Sequence, residues 1–238
     1  MKSSALYDFI LSIGESIYQT LIYDNRYKFI LEGLFNTMII ALFAVILGII
    51  IGVLVALIRN NYDRNNKMKI LNFIVKCYVD IIRGTPIVLQ LMIIYYVIFK
   101  SVDVSVVLVG ILAFGINSGA YVSEIIRAGI QSLPIGQTEA GYALGLKYNQ
   151  VMNYIVLPQA FKNILPALGN EFITLVKETS VGAYIGIIEL TKASDIIASR
   201  TYDYFFPLIM VAIIYLIITL GLSKGVQRLE RKLNRVRS

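Results

Sequence analysis

The chain has 238 residues, of which 57% are hydrophobic and only 16% charged, with a mean hydropathy of +0.72. Helices that are apolar all round belong in lipid or in a very large core, and a chain of this size cannot supply several such cores, so a soluble domain is excluded. Histidine is absent and Cys77 is the single cysteine, which removes the commonest general base, internal disulfides and cysteine-based metal sites. The formal net charge of +7 sits beside the hydrophobic segments and in the tail, a membrane pattern rather than a nucleic-acid-binding one.

Residues 1–28 lack the basic start and compact apolar core of a secretory signal. Leu6, Ile10, Ile13, Ile17 and Leu21 recur at helical spacing, with Asp8, Ser12, Glu15 and Gln19 opposite. The pattern predicts an N-terminal amphipathic helix that lies in the membrane interface or packs on the next segment, without spanning.

The membrane domain, 29–223, follows as a series of apolar runs. Gly33 to Ile58 carries no charge and exceeds the roughly 20 residues a span needs. Arg59, Arg64, Lys67 and Lys69 come next, so the positive-inside rule puts that end in the cytoplasm and the N-terminus outside. A second span, about Ile70 to Phe99, contains Arg83-Gly84-Thr85-Pro86, where proline removes a backbone hydrogen bond and kinks the helix. The third runs from Val104 to about Ala128. A fourth, Ile164 to Leu190, crosses outward and carries Glu171, Lys177 and Glu178; Thr191 to Asp203 reads as a near-neutral loop. Tyr204 to Ser223 forms the fifth and empties into a basic cytoplasmic tail, 224–238. The fold expected is an all-α membrane protein of five transmembrane helices, N-terminus out and C-terminus in.

Between the third and fourth spans lies a polar, helix-prone connection, 131–163, on the basic side of the membrane. Its centre, Glu139 to Pro158, is bounded by Pro134 and Pro158. A long helical connection exposed to water implies a soluble partner. The chain has no G-x-x-x-x-G-K-[ST] phosphate loop, G-x-S-x-G elbow or nucleophile–base pairing, so no catalytic residue and no metal ligand is expected. Gly48/Gly52, Gly115/Gly119 and Gly182/Gly186 have the small-xxx-small spacing of close helix contacts.

An ionised group at a span centre costs about 2.5–3.5 kcal/mol on insertion scales, so such groups face a cavity or a partner. Periodicity groups Glu171, Thr174, Glu178 and Gly182 on one stripe, and Asn170, Thr174 and Lys177 on its neighbour. Asp80, Arg83 and Gln90 align on the second span, and Asn117, Tyr121 and Glu124 on the third. Structural ion pairs would account for any one of these residues; three polar stripes together favour a hydrated path.

The segment from Glu139 resembles the EAA motif of ABC-transporter permeases: Glu139-Ala140, then Gly145, then Ile155-x-Leu157-Pro158. Glu32-Gly33-Leu34-x-x-Thr37, Arg83-Gly84-Thr85-Pro86, Gly119-Ala120-Tyr121-x-x-Glu124, Leu157-Pro158-Gln159-Ala160, Leu165-Pro166-Ala167-Leu168-Gly169-Asn170 and Lys177-Glu178-Thr179-Ser180 narrow the resemblance to the polar amino acid uptake branch. It covers nearly the whole chain from Glu32 to the fifth span. Gly141 departs from it, standing where the motif usually has a third alanine.

The resemblance implies a type I importer permease of the MetI-like fold in the inner membrane of a prokaryote. It would work as a dimer, with a homodimer the simplest form, beneath an extracytoplasmic solute-binding protein. Two cytoplasmic ATPase subunits would bind ATP and Mg, so this chain needs no cofactor, and no nucleic acid is involved. Glu139, Ala140, Gly141, Gly145, Leu157 and Pro158 would couple to the ATPase. Glu178, Lys177, Glu171, Gln90, Asn117 and Tyr121 are the candidate amino-acid-binding residues. The excess of acids on the stripes points to a basic amino acid; glutamine and other polar amino acids stay open. A channel or secondary transporter without an ATPase, and a membrane anchor without transport, are the competing readings.

Overall fold

The computed structural model describes residues 11–12 and 14–235. Leu6, Asp8, Ile10 and Ile13 of the expected amphipathic helix therefore lie outside the described residues, as do 236–238 of the tail. What is described of the N-terminal segment ends in a π turn, Tyr18–Ile22, and a 3-10 turn, Tyr23–Asn25. Asp24 and Asn25, at φ 55° and 54°, redirect the chain there. Arg26 is buried behind them, giving an N–H to the Gln19 carbonyl at 2.6 Å and stacking on the Tyr23 ring.

The first apolar run winds into α1, Tyr27–Asn65. Its 39 residues span about 58 Å at about 1.5 Å each, so it projects well past a hydrocarbon core of about 30 Å. Asn66, in the left-handed region, ends it. The second run is not one kinked span. It breaks into α2, Lys69–Gly84, and α3, Ile87–Ile93, which continues as a π turn over Ile94–Ile98; the two are bent by 112°. Because the helix stops at Gly84, the expected alignment of Asp80, Arg83 and Gln90 on one face does not form: Gln90 is buried, Asp80 and Arg83 exposed.

Helix α4, Val106–Gln131, is the central one, with 61% of its most apolar stretch buried. It packs on α1 through reciprocal glycine notches. A β-carbon on Gly48 would lie 2.7 Å from Ser118 Oγ, and one on Gly52 2.7 Å from Val122 Cβ. In return, one on Gly115 would lie 2.9 Å from Leu47 Cβ and one on Gly119 2.8 Å from Ile51 Cβ. Residue numbers rise together along both helices, so α1 and α4 are parallel, and α2–α3 must carry the chain back across the same thickness between them.

A helical hairpin follows: α5, Ile135–Ala143, then α6, Tyr148–Val151. A π turn at Met152–Val156 leads without interruption into α7, Leu157–Glu178. Pro158 therefore does not break the chain; it stands directly after the π turn, at the second residue of α7. Ile164 sits against Gly129 and Glu171 against Ser118, so α7 is antiparallel to α4. The expected fourth span, Ile164 to Leu190, is not helical throughout: α7 gives way to a 3-10 stretch, Thr179–Ile185, closed by Gly186 at φ +86°. Gly182 and Gly186 serve that turn rather than a helix crossing.

The expected loop Thr191 to Asp203 is instead a helix, α8, Leu190–Thr201. Leu190, Ala193, Ile197 and Ala198 make its buried face, packed with Ile30 of α1. The last helix, α9, Phe205–Arg235, runs back beside α7, with Tyr215 near Glu189 and Val226 against Gly169. It absorbs most of the basic tail as a continuous extension of the span. All regular elements among the described residues are helical. Three helices, Tyr27–Asn65, Val106–Gln131 and Phe205–Leu233, are long and apolar enough to cross a membrane; the bent pair makes a fourth if it counts as one broken span. Helix α7, about 33 Å long for its 22 residues, is not among them, since Asn170, Glu171, Lys177 and Glu178 interrupt its apolar surface.

Candidate functional site

Three polar assemblies lie along α4, and each answers a different local need. The first is created by Pro86. The residue before a proline is pushed to an extended conformation, and Thr85 adopts φ −124°, ψ 149°. Carbonyls at the end of α2 thereby lose their helical partners. The Gln90 amide supplies them: its Nε2 donates to the Ile82 carbonyl at 2.8 Å and to the Thr85 carbonyl at 3.0 Å. Its Oε1 accepts from Asn117 Nδ2 at 2.9 Å, tying the break to α4. Gln90 and Asn117 are 9% and 3% exposed.

The second assembly surrounds Glu124. Arg59 of α1, Arg127 of α4 and Arg83 of α2 converge on its carboxylate, Arg83 from 3.8 Å. Arg83 also lies over the Tyr121 ring, 5.6 Å from its centre. One half-buried acid thus joins three helices, and the motif pieces holding Arg83, Tyr121 and Glu124 meet in a single ion cluster.

The third lies on α7. Ser118, wholly buried on α4, donates to Glu171 Oε1 at 2.7 Å. Glu178 lies within electrostatic reach of Glu171 and Lys177. On the adjoining stripe Asn170 and Lys177 are exposed and Thr174 half-buried. The structure thus brings Glu171, Lys177 and Glu178 together, sets Tyr121 beside the ion cluster, and draws Gln90 and Asn117 into the helix break.

A buried acid that escaped the sequence reading is Glu189, which has no exposed surface. Its carboxylate caps α8, accepting from Thr191 N and Lys192 N at 2.7 Å each, and from the Tyr215 hydroxyl at 3.0 Å. The signal was present: an acid immediately before an amphipathic run. Thr37 accepts from Leu190 N at 3.4 Å and Asn36 donates to the Ile188 carbonyl at 2.8 Å, which gives the Glu32-Gly33-Leu34-x-x-Thr37 motif its role as the cradle of α8.

At the other end of the molecule stands the α5–α6 hairpin. Helix α5 ends in a Schellman turn: Leu146 N bonds to the Gly141 carbonyl at 3.1 Å and Gly145 N to that of Tyr142 at 2.9 Å, with Gly145 at φ +80°. Gly141 is the contact point between the two arms, since a β-carbon there would lie 2.9 Å from both Val151 and Ile155. The usual alanine is missing for internal packing. Glu139, Ala140, Gly145, Leu157 and Pro158 are exposed instead. Around them Ile135 is 75%, Leu144 79% and Tyr154 75% exposed, apolar side chains with no cover among the described residues. The hairpin is fastened to α1, where Tyr148 exchanges hydrogen bonds with Asn60 and its ring lies 4.0 Å below Arg64. A second fastening, Asn163 to Ser132 at 2.8 Å, joins α7 to the end of α4.

The profile of the family described as "Binding-protein-dependent transport system inner membrane component" matches residues 48–235. A protein of Rickettsia bellii (strain RML369-C), GlnP, provisionally named the permease of a glutamine transport system, is 42% identical over 213 residues, 89% of this chain and 95% of its own. The Bacillus subtilis (strain 168) arginine transport system permease protein ArtQ is 40% identical over 86% of this chain and 92% of its own. Among solved structures, a chain from the crystal structure of an amino acid ABC transporter with histidines superposes with a TM-score of 0.81 at 40% identity, covering 87% of this chain and 94% of that one. A chain of the inward-facing MetNI methionine ABC transporter superposes at 0.72 with 19% identity over 89% of this chain and 99% of that one, so it shares the fold.

Proposed function

The chain belongs to the family of binding-protein-dependent transport system inner membrane components, and on that premise we propose how it moves an amino acid. It is the permease subunit of an ABC importer for amino acids, with the MetI-like type I fold; ATP hydrolysis belongs to a separate subunit that holds ATP and Mg. Five crossings, N-terminus outside and C-terminus in the cytoplasm, fit the parallel α1 and α4, the antiparallel α7 and the basic residues at the hairpin end of α1. The exposed hairpin, with Glu139 and Gly145 at its centre, docks on the ATPase, and a solute-binding protein docks on the opposite face.

One observation carries the transport reading: the open stripe of Asn170, Thr174 and Lys177, with Glu171 and Glu178 beside it, on α7, which this reading takes as the fourth crossing. A second copy of the chain bringing its own stripe opposite would enclose a hydrated path between two such helices. Lys177 would meet the substrate carboxylate, and Glu178 and Glu171 its ammonium group. Glu124 is already matched by three arginines, whereas Glu171 and Glu178 make no salt bridge among the described residues, which supports a basic amino acid. Tyr121 borders the path, and the Gln90–Asn117 pair holds its wall.

ATP-driven closure of the ATPases would pull the two hairpins together. Tyr148–Asn60 and Asn163–Ser132 would pass that motion to α1, α4 and α7 and alternate access between the two sides. Uptake of radiolabelled arginine, histidine and glutamine into vesicles holding this chain and its ATPase tests the reading. Glu178→Gln should weaken arginine uptake more than glutamine uptake; equal effects on both would remove Glu178 from the site.

A further inference from the structure

A cleft of about 640 Å³ lies between the last turns of α1, the end of α4 and the start of α7, within the range of about 300–1,000 Å³ typical of small-molecule sites. Its walls are apolar, formed by Leu57, Ile126, Ile130, Leu157, Phe161 and Ile164. Leu57 and Phe161 are 59% and 55% exposed, so nothing among the described residues covers it. Its rim is polar and of one sign: Asn60, Asn61, Asn149 and Asn153 with Arg64, and no carboxylate among the lining residues. Arg64 gives one N–H to Asn149 Oδ1 at 3.2 Å, using one of its five donors. Lys67 and Lys69 stand exposed just beyond it. Asp63, the nearest acid in sequence, is turned towards Arg127.

An apolar slot under a cationic, amide-rich rim, at the level where α1 leaves the membrane, matches an acyl chain below a phosphodiester. Basic pockets between spans on the cytoplasmic side favour anionic headgroups for this reason. We propose that the cleft holds one anionic phospholipid per chain, with an acyl chain against Leu57, Ile130 and Phe161 and its phosphate on Arg64, Asn149 and Asn153. Arg64 also stacks on Tyr148 of α6. The lipid would therefore brace the foot of the coupling hairpin, beyond anything the transport reading requires.

The test is native mass spectrometry of the detergent-purified transporter complex, stripped of lipid and titrated with dioleoylphosphatidylglycerol or dioleoylphosphatidylcholine. One phosphatidylglycerol per chain should be retained with about fivefold preference, the effect of a single cation near a headgroup. Arg64→Gln should abolish the preference. Arg64 also supports Tyr148, so Asn153→Asp, at an exposed position, provides the second arm: it should lower phosphatidylglycerol retention and leave phosphatidylcholine unchanged. Equal retention of both lipids, or a preference that survives both variants, would overturn the site. So would efficient cross-linking of Phe161→Cys to its counterpart in a second copy without bound lipid, which would give the cleft to protein.

Discussion

Gly33 faces the backbone of Glu189 so closely that a β-carbon on it would lie 2.8 Å from the Glu189 carbonyl oxygen. Backbone cannot move aside as a flexible side chain can. Gly33→Val should therefore displace α8 and lower stability by about 1–3 kcal/mol, the usual range for overpacking. Gly84→Ala, where a β-carbon meets nothing within 4 Å, is the matched control and should be near neutral. The thermal midpoint of the detergent-solubilised chain reads both.

Glu189 itself should respond in a graded way. Glu189→Gln keeps a cap acceptor, whereas Glu189→Ala removes the cap of α8 and strands the Tyr215 hydroxyl. Loss of a helix cap costs about 0.5–2 kcal/mol, so the alanine variant should melt lower than the glutamine one. Equal midpoints would show that the cap contributes nothing.

The helix break yields a separate expectation. Gln90→Leu fits the apolar surroundings but leaves the Ile82 and Thr85 carbonyls and the Asn117 amide without their partner. Each unsatisfied buried group costs about 1–3 kcal/mol. The variant should unfold several degrees lower than wild type and expose α3 to protease. Gln90→Glu, which keeps acceptors but loses the donor, should fall nearer to leucine than to wild type.

At Glu124 the three arginines are not equivalent. Arg83 approaches only to 3.8 Å and its side chain is 45% exposed, so Arg83→Gln should change stability by no more than the roughly 0–1 kcal/mol of exposed pairs. Arg59 is 25% exposed and makes the close contact between α1 and α4, so Arg59→Gln should cost more. A double-mutant cycle with Glu124→Gln separates the two couplings, and a larger coupling for Arg83 would contradict the geometry.

The sequence made the long apolar runs legible, because uncharged stretches such as Gly33 to Ile58 have no stable alternative to a membrane helix. The glycine pairs Gly48/Gly52 and Gly115/Gly119 were legible as close contacts but not as partners of each other, since register between helices is a tertiary property. Pro86 announced a kink, yet the 112° bend depends on Gln90 reaching back to the freed carbonyls, which no local pattern encodes. Helix α8 is hard to tell from a loop by sequence, because it is short, polar and net neutral, although Leu190, Ala193 and Ile197 mark its buried face. Gly141 looked like a departure in the docking motif; only the fold shows that Val151 and Ile155 fill the space beside it. Of the residues proposed for transport, Glu171 and Glu178 share one stripe by periodicity, with Lys177 on its neighbour. The partners of Glu124 and Gln90 depend on what stands opposite them in the fold.

Coupling through the α5–α6 hairpin is the centre of the account, and it is tested most directly by ATP-dependent amino acid uptake into vesicles carrying the co-purified ATPase and a Glu139→Lys permease. Glu139 is exposed on α5, away from the Gly141 contact, so the variant should fold and insert normally. The account predicts that ATP is still hydrolysed at a basal rate while uptake falls at least about tenfold, a loss of about 1.4 kcal/mol in coupling. Uptake at the wild-type rate, with the variant inserted and the ATPase present, would contradict it.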